Sequence, residues 1–202
     1  MSIRLVLASQ SPARLATLRR AGLSPDVIVS GVPEDDVTGT PAEIAGQLAR
    51  RKALAVAAQP QAADALVLGC DSVLELDGVA YGKPSQPDVA TERWRLMRGR
   101  SGILHTGHCL VRGEQRAERV GSTTVHFADV SDAEIEAYVG TGEPLAVAGA
   151  FTLDGYGAGF VTGIEGDPHN VIGVSVPLLR LLCQELGLDW PSLWQPSGDA
   201  NG

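Results

Sequence analysis

Short apolar runs alternate along this chain with helices whose first turns carry clear start signals, and this alternation restricts the possible folds most. Residues 3–8 (IRLVLA) and 65–70 (ALVLGC) are apolar runs of strand length, as expected for buried strands. The Ser-Pro pair at 11–12 and the capping boxes at 40–43 (TPAE) and 131–134 (SDAE) each predict the start of a helix. Strands mixed with helices in this way indicate the α/β class with a mixed sheet.

The remaining segments predict further elements of both kinds. An Asp-Gly pair at 77–78 indicates a hairpin turn between strands at 73–76 and 79–81. The Gly-rich stretch 146–166 predicts short strands. The other predicted strands span residues 26–30, 103–112 and 116–127, and the other predicted helices span 12–22, 87–99 and 176–186.

Length and charge limit the domain count and the classes of partner. The 202 residues fit one domain, which we expect at 1–190, followed by a flexible polar tail at 191–202. A formal net charge of −8 argues against broad binding of nucleic acid or of an anionic membrane. No apolar stretch approaches the ~18 residues of a membrane span. Three cysteines lie far apart within apolar runs, which predicts buried thiols in a reducing cytoplasm.

The junction at residues 9–14 (SQSPAR) is the first candidate for a functional site. Free backbone N–H groups and the positive dipole end at a helix N-terminus suit a phosphate group. Ser9, Ser11 and Arg14 add donors, and no acidic residue occurs before Asp26. The same residues also fit an ordinary capped helix with solvated arginines, so phosphate binding is one of two interpretations.

Carboxylates from two segments form the second candidate. Asp71 directly follows the apolar run at 65–70, which places it at the end of a predicted strand, where α/β proteins bind ligands. The acidic loop at 34–36 (EDD) contributes Glu34. Carboxylates from two loops suit Mg²⁺ or Mn²⁺, whose coordination is completed by phosphates and waters. The alternatives are a turn cap at Asp71 and a solvated turn at Glu34.

Lysine usage gives the third candidate, because the chain uses arginine fourteen times and lysine only at Lys52 and Lys83. Lys52 lies late in the helix that begins at the first capping box, and Lys83 lies in a stiff Gly-Lys-Pro turn. Retention of a compact ammonium at these two positions points to a role for it there. Retention by chance is the alternative.

Taken in order along the chain, these residues resemble the Maf family. The resemblance covers about residues 3 to 187, and so many short motifs in the family order make it specific. The matching segments are residues 7–14 (LASQSPAR), 34 (E), 49–53 (ARRKA), 69–72 (GCDS), 82–84 (GKP), 101–107 (SGILHTG), 142–144 (GEP), 148–151 (AGAF) and 166–173 (GDPHNVIG).

The resemblance implies a fold, an activity and a set of partners. Maf proteins are nucleoside triphosphate pyrophosphatases with a fold related to inosine triphosphate pyrophosphatases, so we expect an elongated central sheet flanked by helices, with two lobes around a cleft. The expected activity is metal-dependent hydrolysis of a nucleoside triphosphate to the monophosphate and diphosphate, and the expected metal is Mg²⁺ or Mn²⁺. A homodimer is also suggested. The alternatives are a nucleotide-binding regulator of septum formation with little turnover, and a pyrophosphatase for damaged or modified nucleotides.

The resemblance also implies roles for individual residues. Asp71 becomes the catalytic acid/base and a metal ligand, and Glu34 becomes a ligand of the metal or of water. The phosphate contacts become Ser9, Ser11, Arg14, Lys52 and Lys83.

Four positions depart from the family patterns that accompany base preference. Ala13 stands where many members have arginine and the 7-methyl-GTP subgroup has tryptophan. Ser72 and Asp154 stand where the dTTP and UTP subgroup has threonine and glutamine, and Phe151 replaces a tyrosine. The resemblance therefore leaves the preferred base open.

Overall fold

The structure is a computed structural model that describes residues 3–195, and it contains a mixed sheet flanked by helices. The strands are β1 (Leu5–Leu7), β2 (Asp26–Val27), β3 (Leu66–Leu76), β4 (Val79–Tyr81), β5 (Ser101–Arg112), β6 (Gln115–Phe127) and β7 (Val161–Glu165). The helices are α1 (Pro12–Arg20), α2 (Pro41–Ala57), α3 (Pro87–Met97), α4 (Asp132–Gly140), α5 (Pro168–Ile172) and α6 (Val176–Glu185). None of the described helices is long and apolar enough to cross a membrane.

The sheet combines parallel and antiparallel pairs. Its order is β2-β1-β3-β5-β6-β7, and β4 pairs with the C-terminal part of β3. β1 is parallel to β2 and β3, whereas all other pairs are antiparallel. The long strands β3, β5 and β6 give the sheet its elongated shape. The predicted α/β class with a mixed sheet is confirmed.

Separate hydrophobic cores at the two ends of β3 form two lobes. In the first lobe, Leu68 packs with residues of α1 and α6, and Val67 packs in a second cluster with residues of α2. In the second lobe, Leu74 packs with Trp94 and Phe127. The buried indole of Trp94 contacts Phe127 edge-on at 5.8 Å between centroids and donates to a backbone carbonyl.

One edge of β3 is unpaired between the two lobes. β1 pairs with β3 only at residues 66–68, and β4 pairs with it only at residues 74–76. Within the described residues, no strand covers this edge at residues 69–73, although β5 pairs with the opposite edge throughout. We call this segment the gap. It is where the chain changes from apolar core to the polar pair Asp71 and Ser72.

Helix α2 lies very close to the sheet because small residues meet at the contact. A Cβ added at Gly69 would lie 2.2 Å from the carbonyl oxygen of Ala49, and one added at Gly107 would lie 2.2 Å from that of Ala45. The predicted capping box of Thr40 starts this helix. The close approach brings the last turns of α2 over the gap.

The structure corrects two strand predictions. Residues 65–70 and 73–76 are parts of one strand, Leu66–Leu76, so Asp71 lies within β3 and not at its end. Val73, Leu74 and Leu76 are buried, so apolar residues beyond the polar pair let the strand continue into the second lobe. The Gly-rich stretch 146–166 forms mainly 3-10 turns, and only Val161–Glu165 is a strand.

The predicted flexible tail is packed at its start. Residues Trp190–Leu193 form a 3-10 turn, Leu193 is buried, and the Gln195 backbone N–H donates to the Gly22 carbonyl at 2.8 Å. Tryptophan and leucine side chains supply the apolar area for this contact. The polar composition of 191–202 as a whole gave no sign of it. Residues 196–202 of the predicted tail lie outside the described residues.

Candidate functional site

On one face of the gap, a lysine joins two carboxylates. The Lys52 ammonium lies 2.5 Å from Oδ1 of Asp71 and 2.7 Å from Oε1 of Glu34. The side chains of Lys52 and Asp71 are only 12% and 11% exposed, whereas that of Glu34 is 51% exposed. These three predicted site residues, distant in sequence, therefore form one charged cluster that opens to solvent at Glu34.

A neighbouring arginine holds the acidic loop against helix α2. Arg51 donates to the carbonyl of Pro33 at 2.8 Å and to both carboxylate oxygens of Asp36, at 2.5 and 3.3 Å. The hydrogen bond from Arg51 lowers the pKa of Asp36. Because Pro33 and Asp36 flank it, Glu34 stays within reach of Lys52. The sequence placed Arg51 beside Lys52, but its role could not be derived without knowing that the loop folds back on this helix.

On the other face of β3 at the gap, neutral oxygens hold Arg14. Its Nε donates to the Gly173 carbonyl at 2.7 Å, and its two terminal nitrogens donate to the hydroxyls of Ser9 and Ser72, both at 3.0 Å. Ser11 caps helix α1 by accepting from the Arg14 backbone N–H, and its own N–H donates to the Ser9 hydroxyl. Ser11 thus caps α1 as predicted, and the Arg14 guanidinium lies beside Ser9 and Ser72 at this junction.

The Lys52 cluster and Arg14 lie on opposite faces of β3, and both border the gap. Successive side chains of a strand point to opposite faces, so Asp71 points toward Lys52 while Ser72 points toward Arg14. β1 ends at Leu7 on the same edge, which brings Ser9 and α1 beside this part of β3. A ligand lying along the unpaired edge of β3 can therefore contact both Lys52 and Arg14.

The other predicted site residues join neither cluster. Lys83 is exposed two residues after Tyr81, whose partner in β3 is Leu74, so it lies at the border of the gap with the second lobe. Asp154 is exposed and Ala13 is half-buried in the first turn of α1. Within residues 3–195, the structure shows no ion pair of Lys83 or Asp154. Their proposed roles therefore rest on placement and resemblance.

Glu143 organises the loop that carries Asp154, a role that the sequence match at residues 142–144 did not reveal. Its carboxylate accepts four hydrogen bonds, from the side chains of Tyr138 and Thr152 and from the backbone N–H groups of Tyr156 and Gly157. Burial raises the pKa of Glu143, but the hydrogen bonds outweigh it and hold that pKa below its usual value. The adjacent 3-10 turn contacts the Lys83 segment, because the Gly149 N–H donates to the Gly82 carbonyl at 3.2 Å.

Neutral buried groups lie behind the Arg14 face. Burial, followed by the charge of Arg14, lowers the pKa of His108 to about 4, and its Nε2 accepts from the Ser175 N–H at 2.7 Å. Burial raises the pKa of the Cys70 thiol to about 12. All three cysteines are buried and free, as predicted. His108 thus has a structural role.

Comparison with known proteins decides the family. The family model described as "Maf-like protein" matches residues 4–186. The chain belongs to the Maf family. A protein named nucleoside triphosphate pyrophosphatase in Streptomyces coelicolor is 57% identical over 199 residues, covering 97% of each chain. One of the same name in Salinispora tropica is 58% identical over 200 residues, covering 96% of this chain and 88% of its own.

The solved structures give a weaker likeness. The Staphylococcus aureus Ham1 protein covers 62% of this chain and 72% of its own, with 17% identity and a TM-score of 0.43. A likeness at this level does not establish a shared fold. Membership of the Maf family rests on the sequence matches alone.

Proposed function

We propose that this Maf protein is a nucleoside triphosphate pyrophosphatase, which hydrolyses the α–β linkage and releases a nucleoside monophosphate and diphosphate. The observation that carries the proposal is the arrangement at the gap, where Lys52 joins Asp71 and Glu34 on one face and Arg14 lies on the other. Carboxylates that can accept a proton, beside cations that can bind phosphate, are the groups that this reaction requires. The names of the relatives described above agree with this reaction.

Asp71 is proposed as the general base. Its carboxylate takes a proton from a water molecule whose oxygen forms a bond to the α-phosphorus. The bond between the α-phosphorus and the bridging oxygen breaks, and the electron pair leaves with the diphosphate. Lys52, 2.5 Å from Asp71, is placed to stabilise the negative charge that develops on the phosphate oxygens.

Arg14, Lys52 and Lys83 are proposed to bind the polyphosphate from three sides of the gap. Ser9, Ser11 and the N-terminal N–H groups of α1 add hydrogen-bond donors beside Arg14. Although the protein is acidic overall, these residues form a local cationic site for an anionic substrate. Ala13, Ser72 and Asp154 stay predictions for the choice of base.

The oxygen donors at the gap fit a divalent cation. Glu34 and Asp71 both lie against one ammonium, and Mg²⁺ is commonly held by one or two carboxylates together with substrate phosphates. The described residues contain no cluster of three His, Cys, Asp or Glu side chains for a metal, so the protein part of such a site would be these two carboxylates. When bound, Mg²⁺ or Mn²⁺ supplies positive charge to the phosphate oxygens.

A substrate panel tests the proposal. The purified protein is incubated with each common nucleoside triphosphate and with 7-methyl-GTP, with Mg²⁺ or Mn²⁺ in turn, and diphosphate is measured. We expect diphosphate and monophosphate in equal amounts for at least one substrate, and no inorganic phosphate. Binding without turnover across the panel would contradict the proposal and favour the nucleotide-binding regulator.

The Asp71→Asn variant tests the assigned base. We expect kcat to fall about 10²–10⁴-fold, the usual range for loss of a general base, with an unchanged circular dichroism spectrum. Asp88→Asn is the matched control, because Asp88 is an exposed residue of α3. Near-normal diphosphate release by a folded Asp71→Asn variant would exclude Asp71 as the base.

A further inference from the structure

Four groups form a continuous chain of hydrogen bonds that begins at Arg14 and ends inside the protein. Arg14 donates to the Ser72 hydroxyl at 3.0 Å, the Ser72 and Thr106 hydroxyls lie 2.9 Å apart, and the Thr106 hydroxyl donates to the Asn170 carbonyl at 2.8 Å. Ser72 and Thr106 are directly opposed in the register of β3 and β5. Thr106 is completely buried, so this chain runs from the gap into the core.

Hydrogen counting fixes the direction of every bond in this chain. A hydroxyl has one hydrogen, and Thr106 must give its hydrogen to Asn170, because a carbonyl oxygen can only accept. Ser72 must therefore donate to Thr106, and it accepts from Arg14. The Ser72 hydrogen is thus used inside the protein, and a lone pair of Ser72 faces the guanidinium.

The inner end of the chain is anchored firmly. The Asn170 amide donates to the Leu104 carbonyl at 3.0 Å and to the Thr123 hydroxyl at 3.2 Å, and Asn170 is only 1% exposed. Gly121 makes room for it, because a Cβ there would lie 2.4 Å from the Asn170 Oδ1. The same segment holds Arg14 a second time through the Gly173 carbonyl. A guanidinium held from two directions loses little freedom when it binds an anion.

We propose that Ser72 and Thr106 are positioning residues that act on the substrate through Arg14, and that Ser72 does not donate to the phosphate or the base. This rests on the proposed function, because it takes Arg14 as a polyphosphate contact. The proposal changes the role expected of Ser72. Although Ser72 follows the proposed general base in sequence, its hydroxyl holds Arg14 on the opposite face of the sheet. The hydrogen-bond donors of Arg14 that remain free are directed by Thr106, which does not contact the substrate.

The test measures the Kd of inorganic triphosphate with Mg²⁺ by calorimetry, so that it does not depend on turnover. We expect Thr106→Val and Ser72→Ala each to weaken binding about 5- to 10-fold, the usual cost of one hydrogen bond whose buried partner is left unpaired. Thr106→Ser and Ser72→Thr keep the hydroxyl and should bind triphosphate with an affinity close to that of the wild type. Thr17→Val is the matched control, because it removes a buried hydroxyl of α1 that has no hydrogen-bond partner among the described residues and lies outside this chain.

A double-mutant cycle separates positioning from general damage to the fold. With Arg14→Lys as background, Thr106→Val should cause no further loss of affinity, since the group it orients is absent. Three results would overturn the proposal. They are equal weakening by Thr106→Val in both backgrounds, wild-type affinity of Thr106→Val, and weakening by Thr17→Val equal to that by Thr106→Val. Failure of the wild type to bind triphosphate would also overturn it. Binding with the expected pattern but no hydrolysis of any nucleotide would refute only the proposed function.

Discussion

The two faces of β3 at the gap carry cations that are held in different ways. On one face, Lys52 contacts two carboxylates, one of which is half exposed. On the other, the bonds of Arg14 recorded in the described residues go to neutral oxygens, one of which, the Ser72 hydroxyl, is supported by buried Thr106. The half-exposed contact of Lys52 with Glu34 can exchange for a phosphate when a polyphosphate arrives. The hydrogen bonds that link Arg14 through Ser72 to buried Thr106 hold the guanidinium in place. We therefore propose that chemistry belongs to the Lys52 face and substrate placement to the Arg14 face.

Removing each cation should show this difference most strongly. Lys52→Met leaves Asp71 and Glu34 without their common cation, and these carboxylates would then repel the substrate. We expect kcat/KM to fall about 10²–10³-fold. Arg14→Met leaves only neutral hydroxyls and a carbonyl behind, so its effect should be smaller and lie mainly in KM.

Steady-state kinetics of the two variants provide the measurement. Lys52→Arg is the matched control for charge, and it should recover only part of the activity, because a planar guanidinium differs from a compact ammonium. A larger loss for Arg14→Met than for Lys52→Met would contradict the division of roles between the faces.

Separating α2 from the sheet should damage the Lys52 face selectively. Gly69→Ala places a Cβ 2.2 Å from the Ala49 carbonyl, so the helix must move away. We expect a loss of about 1–3 kcal/mol in the free energy of unfolding, as for other overpacked contacts, together with reduced kcat.

Urea unfolding and kinetics check this prediction. Gly140→Ala is the control, since a Cβ there meets nothing within 4 Å, and it should leave both quantities close to those of the wild type. Unchanged stability of Gly69→Ala would show that α2 does not depend on the close contact.

Acid should lower the free energy of unfolding through His108, which is buried behind the Arg14 face. The pKa of His108 is lowered to about 4 from 6.5, so the unfolded state binds more protons between these pH values. Stability from this group is fully present above pH 6.5 and is lost as the pH falls toward 4, with a slope of up to ~1.4 kcal/mol per pH unit.

The measurement is the free energy of unfolding in urea at pH 7.5 and pH 5. His108→Gln cannot titrate and is the control. We expect the wild type to lose ~1–2 kcal/mol more than this variant over that range. Parallel losses in both proteins would show that His108 does not carry the pH dependence.

The sequence predicted the elements whose signals are local. Ser11, Thr40 and Ser131 cap helices as expected, because a cap needs only its neighbouring residues. The Gly-rich stretch 146–166 was predicted less well, since Glu143 holds part of it through contacts that are not visible in a local pattern.

The candidate site was predicted as residues but not as an arrangement. Sequence patterns singled out Asp71, Lys52 and Arg14, and the resemblance supplied their roles. Neither showed that Lys52 and Arg14 lie on opposite faces of one strand. The separation of the two cations follows because β3 continues through Asp71. The sequence prediction had placed Asp71 at the end of a strand. Thr106 was missed because an isolated threonine in a strand carries no signal of its own.

The position of attack on the substrate tests the central claim most directly. The best substrate of the panel is hydrolysed in ¹⁸O-labelled water, and both products are analysed by mass spectrometry. If a water activated by Asp71 attacks the α-phosphorus, the monophosphate carries one ¹⁸O atom and the diphosphate carries none. Label in the diphosphate would mean attack at the β-phosphorus and would contradict the proposed reaction at the gap.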